Sequence, residues 1–510
     1  MKKMWNADNG DGTYTNPILY TDYSDPDVIR VGEDYFMVAS SFCNSPSVPV
    51  LHSKDLVNWK VISYCMEKLP FDYYDKPVHG CGSWAPSIRF HEGYFYAFIP
   101  MPDEGIFMCK TDDPFKGWEE PVCVRKVCGW IDPCPFWDDD GKAYMVTAFA
   151  RSRIGFKSIL HMSPIKPDCT ETLDDGMHIY DGHDTQPTIE GPKLYKRNGY
   201  YYIFAPAGGV KPGWQTVLRS RSIYGPYEEK IVLHQGNTEI NGPHQGAWID
   251  TPSGEDWFIH FQDVGNAGRI IHLQPMRWVD DWPVIGINED ENGCGEPVIT
   301  YQKPDVGRSY EPCSPEDSDD FLEDSLGLQW QWNANYKEHW YKLENEHLVL
   351  FSQPVDPAVQ LCDVSNLLLQ KWPAPEFMIT VKMDISELVD GDYAGMVSLG
   401  GVYTALAVRV KDGRRNLVQM TGEWTKDNEV EKIYDSVCGD SLYLRMTVQN
   451  EELVSYEYSE DGENYKSVGE VIPATPGRWV GVKAGLFAIN RRERESGALK
   501  VDYFLFEKLS

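Results

Sequence analysis

A short motif recurs five times in the first three hundred residues: glycine, two further residues, then tyrosine or tryptophan. The copies occupy residues 32–35, 93–96, 141–144, 199–202 and 254–257. Each lies between two strand-like segments, the second rich in aromatics, which is the pattern of a β-hairpin. At intervals of roughly 50–60 residues, each copy leaves room for the four strands of a propeller blade. Chance recurrence in a tyrosine-rich chain would not explain the matching strand before each copy. The repeat therefore predicts a five-bladed β-propeller over residues 1–305.

The entry of each predicted first strand carries a distinctive residue. In blade order these positions are Asp25, Ala85 (after Trp84), Asp132, Glu190 and His244. Blade symmetry places equivalent positions on one ring, and the first strand of a blade lines the central channel. We therefore expect three carboxyl groups and one histidine to face a common pocket. Because like charges repel and raise one another's pKa, such a cluster favours catalysis over a scaffolding role.

The remainder of the chain has a different pattern. Residues 306–318 are rich in proline, serine and acidic residues, which indicates a linker. Residues 319–510 are a series of alternating strand-like segments with almost no helical periodicity. This pattern predicts a jelly-roll β-sandwich with a structural role, or one that shapes a wall of the pocket. The expected fold class is all-β.

The charge and composition exclude several partners. A formal net charge of −31 repels phosphates and anionic lipids, so we expect no nucleic acid and no membrane partner. No apolar stretch is long enough to span a bilayer, and the first residues lack the apolar run of a signal peptide. The twelve cysteines contain no CxxC pair, which is typical of reduced thiols in a cytoplasmic protein. A homo-oligomer is compatible with the sequence.

Several motifs, in this order along the chain, resemble those of glycoside hydrolase family 43, the β-xylosidases and α-L-arabinofuranosidases. They are Ser24-Asp25-Pro26-Asp27, Gly82-Ser83-Trp84-Ala85-Pro86, Ile131-Asp132-Pro133, Ile189-Glu190-Gly191-Pro192, Gly242-Pro243-His244-Gln245-Gly246 and Gly268-Arg269. The C-terminal region resembles the sandwich attached to many exo-acting members. The resemblance therefore covers the whole chain and implies a five-bladed catalytic domain.

The resemblance implies an inverting mechanism with two principal carboxyl groups. Asp25 would be the general base that deprotonates water, and Glu190 the general acid that protonates the leaving oxygen. Inversion requires the two groups to lie roughly 6.5–9.5 Å apart. Asp132 would lie beside Glu190, hold it in place and keep it protonated by like-charge repulsion.

Other residues are candidates for binding. Arg269 could donate hydrogen bonds to sugar hydroxyls or form a salt bridge. The rings of Trp84, Phe42 and Trp214 could stack on a sugar or belong to the core. In relatives, a histidine at the position of His244 either binds a structural calcium ion in the channel or forms a hydrogen bond. Calcium prefers oxygen ligands, and no cofactor is expected for the chemistry.

The expected substrate is a plant hemicellulose oligosaccharide from which one terminal pentose is released. The sequence does not decide between β-D-xylose and α-L-arabinofuranose. Alternatives are an endo-acting arabinanase and a sugar-binding propeller without catalysis. A retaining fructosidase is disfavoured, because residues 23–27 lack the Trp-x-Asn-Asp-Pro-Asn type of motif found in that class. A cytoplasmic enzyme would act on imported short oligosaccharides.

Overall fold

Five four-stranded antiparallel sheets form a ring, and a two-sheet sandwich follows them. The structure is a computed structural model that describes residues 3–492 and 497–509. In this part of the chain the expected five-bladed β-propeller and β-sandwich are both confirmed. No helix within the described ranges is long and apolar enough to cross a membrane.

Each blade is built from four consecutive strands hydrogen-bonded in chain order. The N-terminal strand β1 (Thr13–Thr15) precedes blade one, which contains β2 (Asp27–Val31), β3 (Asp34–Val38), β4 (Ser47–Ser53) and β5 (Trp59–Met66). Blade two contains β6 (Ser87–His91), β7 (Tyr94–Met101), β8 (Gly105–Thr111) and β9 (Val122–Lys126). Blade three contains β10 (Trp130–Trp137), β11 (Ala143–Phe149), β12 (Ile159–Ile165) and β13 (Met177–Asp181). Blade four contains β14 (Lys193–Arg197), β15 (Tyr200–Ala207), β16 (Trp214–Ser220) and β17 (Glu228–His234). Blade five contains β18 (His244–Asp250), β19 (Asp256–Asp263), β20 (Arg269–Val279) and β21 (Trp282–Ile285). The glycines of the repeated motif lie in the turns between the first and second strands.

The ring is held together by apolar clusters between neighbouring blades. Phe36 of blade one packs in the same cluster as Phe95 of blade two, and Phe204 of blade four packs with Phe258 of blade five. Further clusters join blades two and three, three and four, and five and one. Each sheet packs against a neighbouring blade on either side. Strands that are covered on both faces therefore have nearly continuous apolar sequences.

The N-terminal segment closes the ring against blade five. Strand β1 pairs with β22 (Thr300–Gln302), and Leu19 forms an isolated bridge with Ile271. The side chain of Asn16 accepts a hydrogen bond from the Leu273 N–H and donates to its carbonyl. The two ends of the propeller sequence are therefore tied to each other, which fixes the position of blade one and its aspartate.

The sandwich consists of two mainly antiparallel sheets whose inner faces form one large core. The first sheet contains β23 (Gln331–Trp332), β26 (Gln353–Pro354), β27 (Leu368–Lys371), β29 (Asp392–Leu399), β30 (Val402–Lys411), β31 (Arg414–Glu423), β32 (Val430–Ser436) and β36 (Lys483–Asn490). The second contains β24 (Tyr341–Glu344), β25 (His347–Phe351), β28 (Phe377–Asp384), β33 (Ser441–Gln449), β34 (Leu453–Ser459), β35 (Lys466–Pro473) and β37 (Ala498–Glu507). Short helical turns are few in the described ranges: α1 (Arg151–Ile154) and the 3₁₀ segments Asp72–Asp75, Gly265–Ala267, Glu338–Trp340 and Leu361–Asp363.

The sandwich docks directly on the propeller. Ser45 and Trp332 exchange backbone hydrogen bonds across the interface, and Met4 from the N-terminus lies in the core of the sandwich. The loop at residues 475–482 reaches the propeller, where a Cβ at Gly481 would lie only 2.8 Å from the backbone of Ala267. The absence of a side chain at Gly481 therefore allows this loop to approach the end of the channel closely.

Candidate active site

A cavity of about 270 Å³ opens at the end of the propeller where the first strands begin. Its lining includes Asp25, Asp132, Glu190, His244 and Arg269. Asp25 and Glu190 lie two and three residues before the first strands of blades one and four, whereas Asp132 and His244 lie near the start of those of blades three and five. The structure thus brings together the three carboxyl groups, the histidine and the arginine singled out in the sequence. Their catalytic roles stay predictions.

The backbone turns these side chains toward the axis with left-handed residues. Asp25 has φ of 59° and Asp132 has φ of 54°. The strand pairing shifts register beside Asp132 and again beside His244, which marks a bulge in each first strand. Such conformations are uncommon for residues other than glycine and concentrate at functional sites, where the surrounding structure maintains them.

Asp25 is a buried carboxylate that accepts hydrogen bonds from three side chains. Its Oδ2 accepts hydrogen bonds from the hydroxyls of Ser24 at 2.8 Å and Ser40 at 2.6 Å. Its Oδ1 accepts a hydrogen bond from Arg269 Nη1 at 2.9 Å. These contacts orient the carboxylate and stabilise its charge. Arg269 therefore forms the salt bridge that the sequence left open, and its buried Nε has no protein hydrogen-bond partner in the described ranges.

Asp132 is a buried carboxyl group close enough to Glu190 to be affected by its charge. Burial and the neighbouring charge of Glu190 raise the pKa of Asp132 to about 7, although its Oδ2 accepts the N–H of Gly191 at 2.7 Å. Glu190 Oε1 lies 2.8 Å from Nε2 of His244. Asp132 therefore retains its proton to near-neutral pH.

The described side chains around His244 do not form a cluster of metal ligands. One ring nitrogen is engaged by Glu190, and the other is buried without a hydrogen-bond partner in the described part of the chain. Within residues 3–492 and 497–509, no group of three or more His, Cys, Asp or Glu side chains is placed to hold a metal ion. Calcium takes six to eight oxygen ligands, so an ion beside His244 would depend largely on water molecules for its coordination.

Aromatic rings from both domains form the wall of the cavity. Trp84 and Phe42 line it as expected, and Trp479 from the loop at residues 475–482 joins them. The Trp479 ring packs edge-on to Trp84, with centroids 4.7 Å apart and planes at 71°. Arg153 covers Trp84 at 4.7 Å. The sandwich therefore completes the pocket, which is the second of the two roles that the sequence suggested for it.

Trp214 does not line the cavity. It begins the third strand of blade four, and third strands lie farther from the axis than first strands. Its indole N–H donates to Gln186 Oε1 at 2.7 Å, and its ring packs in the cluster between blades three and four. Trp214 is therefore not placed to contact a substrate in this cavity, contrary to the expectation from the sequence.

Sequence reasoning missed several lining residues. These are Phe149, Arg151, Ser152, Lys157, Thr188, Gln245 and Trp479. Most lie in loops outside the repeat, so no equivalent position in another blade points to them. The one available signal was Trp479, a tryptophan directly after the turn-forming segment Pro476-Gly477-Arg478.

The fold and the carboxyl groups define a class of protein, the glycoside hydrolases, which use paired carboxyl groups to cleave sugar linkages. Residues 14–283 match glycosyl hydrolases family 43, and residues 318–507 match the β-xylosidase C-terminal concanavalin A-like domain. The chain belongs to glycosyl hydrolases family 43. It is therefore an enzyme that acts on a carbohydrate and whose chemistry requires no cofactor.

Similar proteins cover nearly the whole chain. A putative β-xylosidase of Xylanibacter ruminicola is 42% identical over 95% of this chain and 87% of its own length. A β-xylosidase of Formosa agariphila is 32% identical over 98% of this chain and 91% of its own length. The crystal structure of the family 43 protein BlXynB from Bacillus licheniformis has a TM-score of 0.82 at 27% identity, covering 98% of this chain and all of that one.

Proposed function

We propose that this protein is an inverting, exo-acting hydrolase that releases terminal β-D-xylose, and to a lesser extent α-L-arabinofuranose, from hemicellulose oligosaccharides. The observation that carries the proposal is the cavity lined by Trp479 of the sandwich and by the three carboxyl groups of the propeller. At about 270 Å³ it is smaller than the roughly 300–1,000 Å³ of typical ligand sites, which favours one terminal sugar over an extended chain. Both relatives described above carry the name β-xylosidase.

The proposed reaction is a single displacement. Asp25 removes a proton from water as the water oxygen bonds to the anomeric carbon. Glu190 delivers a proton to the glycosidic oxygen as the bond between that oxygen and the anomeric carbon breaks. Attack opposite to the leaving group inverts the anomeric configuration. Arg269 orients Asp25, while His244 and Asp132 hold Glu190 and its proton in place.

The test is hydrolysis of an aryl β-D-xyloside and an aryl α-L-arabinofuranoside, with the first-formed sugar anomer followed by proton NMR. We expect the β-xyloside to be cleaved faster and to release α-xylose first. Release of β-xylose first would overturn the inverting mechanism. Products longer than one sugar from a xylo-oligosaccharide would support an endo-acting enzyme instead, and no release from any substrate would support a sugar-binding protein.

A second part of the proposal concerns metal ions. We propose that His244 positions Glu190 directly, a role supported by their 2.8 Å contact. The enzyme is treated with a chelator, and the chelator is then removed together with the ions that it has bound. We expect kcat/KM to stay within about twofold of the value for the untreated enzyme. A large loss that calcium restores would contradict this role, and magnesium serves as the control for a non-specific ionic effect.

We also propose a cytoplasmic location, where the enzyme would act on imported short oligosaccharides. The support is the cysteine usage, because seven of the twelve cysteines are buried as free thiols. Fractionation of the native cells with antibody detection tests this location, and recovery of the protein outside the cytoplasmic fraction would contradict it. The oligomeric state stays an open prediction.

A further inference from the structure

Two cationic side chains lie at the mouth of the catalytic cavity without a carboxylate partner. Arg151 begins α1 and is exposed, and Lys157 follows shortly after it; both line the cavity. Neither forms a salt bridge with any residue that the structure describes. Arg153 lies between them in sequence but has a carboxylate partner. Its Nε and Nη2 donate hydrogen bonds to the two carboxylate oxygens of Asp103, at 3.0 Å and 2.9 Å. In the described residues, the positive charges of Arg151 and Lys157 are therefore not neutralised by a carboxylate and can attract an anionic ligand.

The position of Lys157 is fixed by the loops that hold it. Its Nζ donates to Thr188 Oγ1 at 2.9 Å, and the Thr188 N–H donates to Ser158 Oγ at 2.8 Å. Ser158 and Thr188 have φ of 67° and 63°. A left-handed conformation is strained, most of all for a β-branched residue such as threonine, and persists only where neighbouring contacts impose it. An ammonium group has three donors, so Lys157 keeps two for a ligand.

The contact of Lys157 with Thr188 connects it to the segment that carries the proposed general acid. Thr188 precedes Glu190 by two residues, and Lys157, which donates to Thr188, lines the same cavity as Glu190. The general acid protonates the leaving oxygen, and the leaving sugar must therefore contact it. We therefore expect the leaving portion of the substrate to pass Lys157 and the exposed Arg151 on its way to solvent.

We propose that the enzyme prefers oligosaccharides in which the leaving portion carries a carboxylate, as in a uronic acid substituent, and that Lys157 and Arg151 bind this carboxylate. The inference rests on the proposed exo-hydrolase function and specifies its substrate class. A protein with a net charge of −31 repels anions at long range. A preference for an acidic substrate would therefore need local cations without carboxylate partners, which the mouth of this cavity provides.

The test compares two xylo-oligosaccharides that differ in one group. In the first, the sugar next to the terminal xylose carries a uronic acid branch, and in the second that carboxyl group has been reduced to an alcohol. We expect kcat/KM for the acidic substrate to exceed that for the reduced one by about tenfold, the value of one charge-assisted hydrogen bond of about 1.4 kcal/mol. The ratio should fall toward one as salt is raised to about 0.5 M.

Variants locate the preference. Lys157→Met and Arg151→Met should each reduce the ratio of the two kcat/KM values, and the double variant should bring it close to one. Lys116→Met is the matched control, because it makes the same change in net charge at an exposed residue away from the cavity lining. The control should retain the ratio found in the wild-type enzyme.

The outcomes separate this inference from the function on which it rests. Cleavage of the reduced substrate with a ratio of one or below would overturn the preference and leave the exo-hydrolase function intact. A ratio above one that survives in the double variant would overturn the assignment to Lys157 and Arg151. Failure to cleave either substrate or an aryl xyloside would overturn the proposed function and, with it, this inference.

Discussion

At the scale of single residues, Asp132 opposes folding when it ionises. Its pKa is raised to about 7 in the folded protein from an ordinary 3.8, because it is buried beside Glu190. Between these values the folded state retains a proton that the unfolded state releases, so stability falls as pH rises from about 4 to 7. We expect Asp132→Asn to increase the free energy of unfolding by up to about 4 kcal/mol at pH 8, at 1.4 kcal/mol per pKa unit, and by little at pH 4.

Denaturant unfolding at pH 4, 6 and 8 measures this gain. Asp140→Asn is the control, because this exposed carboxyl has its pKa lowered by the Lys142 side chain and should show no gain that grows with pH. An Asp132→Asn variant that is equally or less stable than wild type at pH 8 would contradict the burial argument. Activity should fall in the same variant, which is the expected conflict between stability and function at a catalytic site.

Glu190 and Asp25 should respond differently to the leaving group. A general acid matters little when the leaving group is a stable anion, so Glu190→Gln should retain most activity on a dinitrophenyl xyloside. On xylobiose the same variant should lose roughly 10²–10⁴-fold in kcat. Asp25→Asn should lose activity on both substrates, because water must be deprotonated in either reaction. Steady-state kinetics on the two substrates measure this, and equal losses for Glu190→Gln would contradict its assignment as the acid.

Among the structural elements, the sequence predicted those site residues that belong to the repeated motif of the blades. Asp25, Asp132 and Glu190 could be placed from sequence because equivalent positions in a propeller share a ring and the motif recurs with each blade. Trp214 could not be excluded, because sequence does not show which strand of a blade a tryptophan joins. Lys157 was missed because its position depends on a hydrogen bond to Thr188 of the following blade. Local patterns predict strands and turns, whereas contacts between loops of different blades require the assembled ring.

The loop that carries Trp479 provides the clearest test at this scale. The Trp479 ring packs against Trp84 and stacks near Phe42, at 28° between planes. Because a wall residue contributes to binding in the ground and transition states alike, Trp479→Ala should raise KM roughly tenfold with a smaller change in kcat. Trp479→Phe retains an aromatic face and should stay near wild type. A loss confined to kcat would instead indicate that the loop positions the catalytic groups.

At the scale of the whole molecule, the sandwich and the propeller meet around one buried carboxylate. Asp22 accepts the backbone N–H of Arg269 at 2.9 Å and that of Gly481 at 2.8 Å, so it joins the arginine beside Asp25 to the Trp479 loop. Lys371 from the sandwich donates to the Asp22 carbonyl at 2.5 Å, and burial lowers the pKa of this lysine to about 8. The charge of Asp22 partly offsets the cost of burying that lysine. The docking of the two domains and the geometry of the site are therefore set by the same contacts.

Asp22→Ala should weaken folding and catalysis together. The substitution leaves two buried N–H groups without an acceptor, which costs about 2–5 kcal/mol in the free energy of unfolding. It also releases Arg269 and the Trp479 loop, so kcat/KM should fall although Asp22 does not line the cavity. Asp22→Asn keeps one side-chain acceptor and should show a smaller loss of both. Thermal melting and steady-state kinetics on the same preparations measure the two effects.

Full activity in an Asp22→Ala variant with a lowered melting temperature would contradict the effect on catalysis. It would show that docking of the sandwich stabilises the molecule without positioning the site, because the catalytic groups would then be held by the propeller alone.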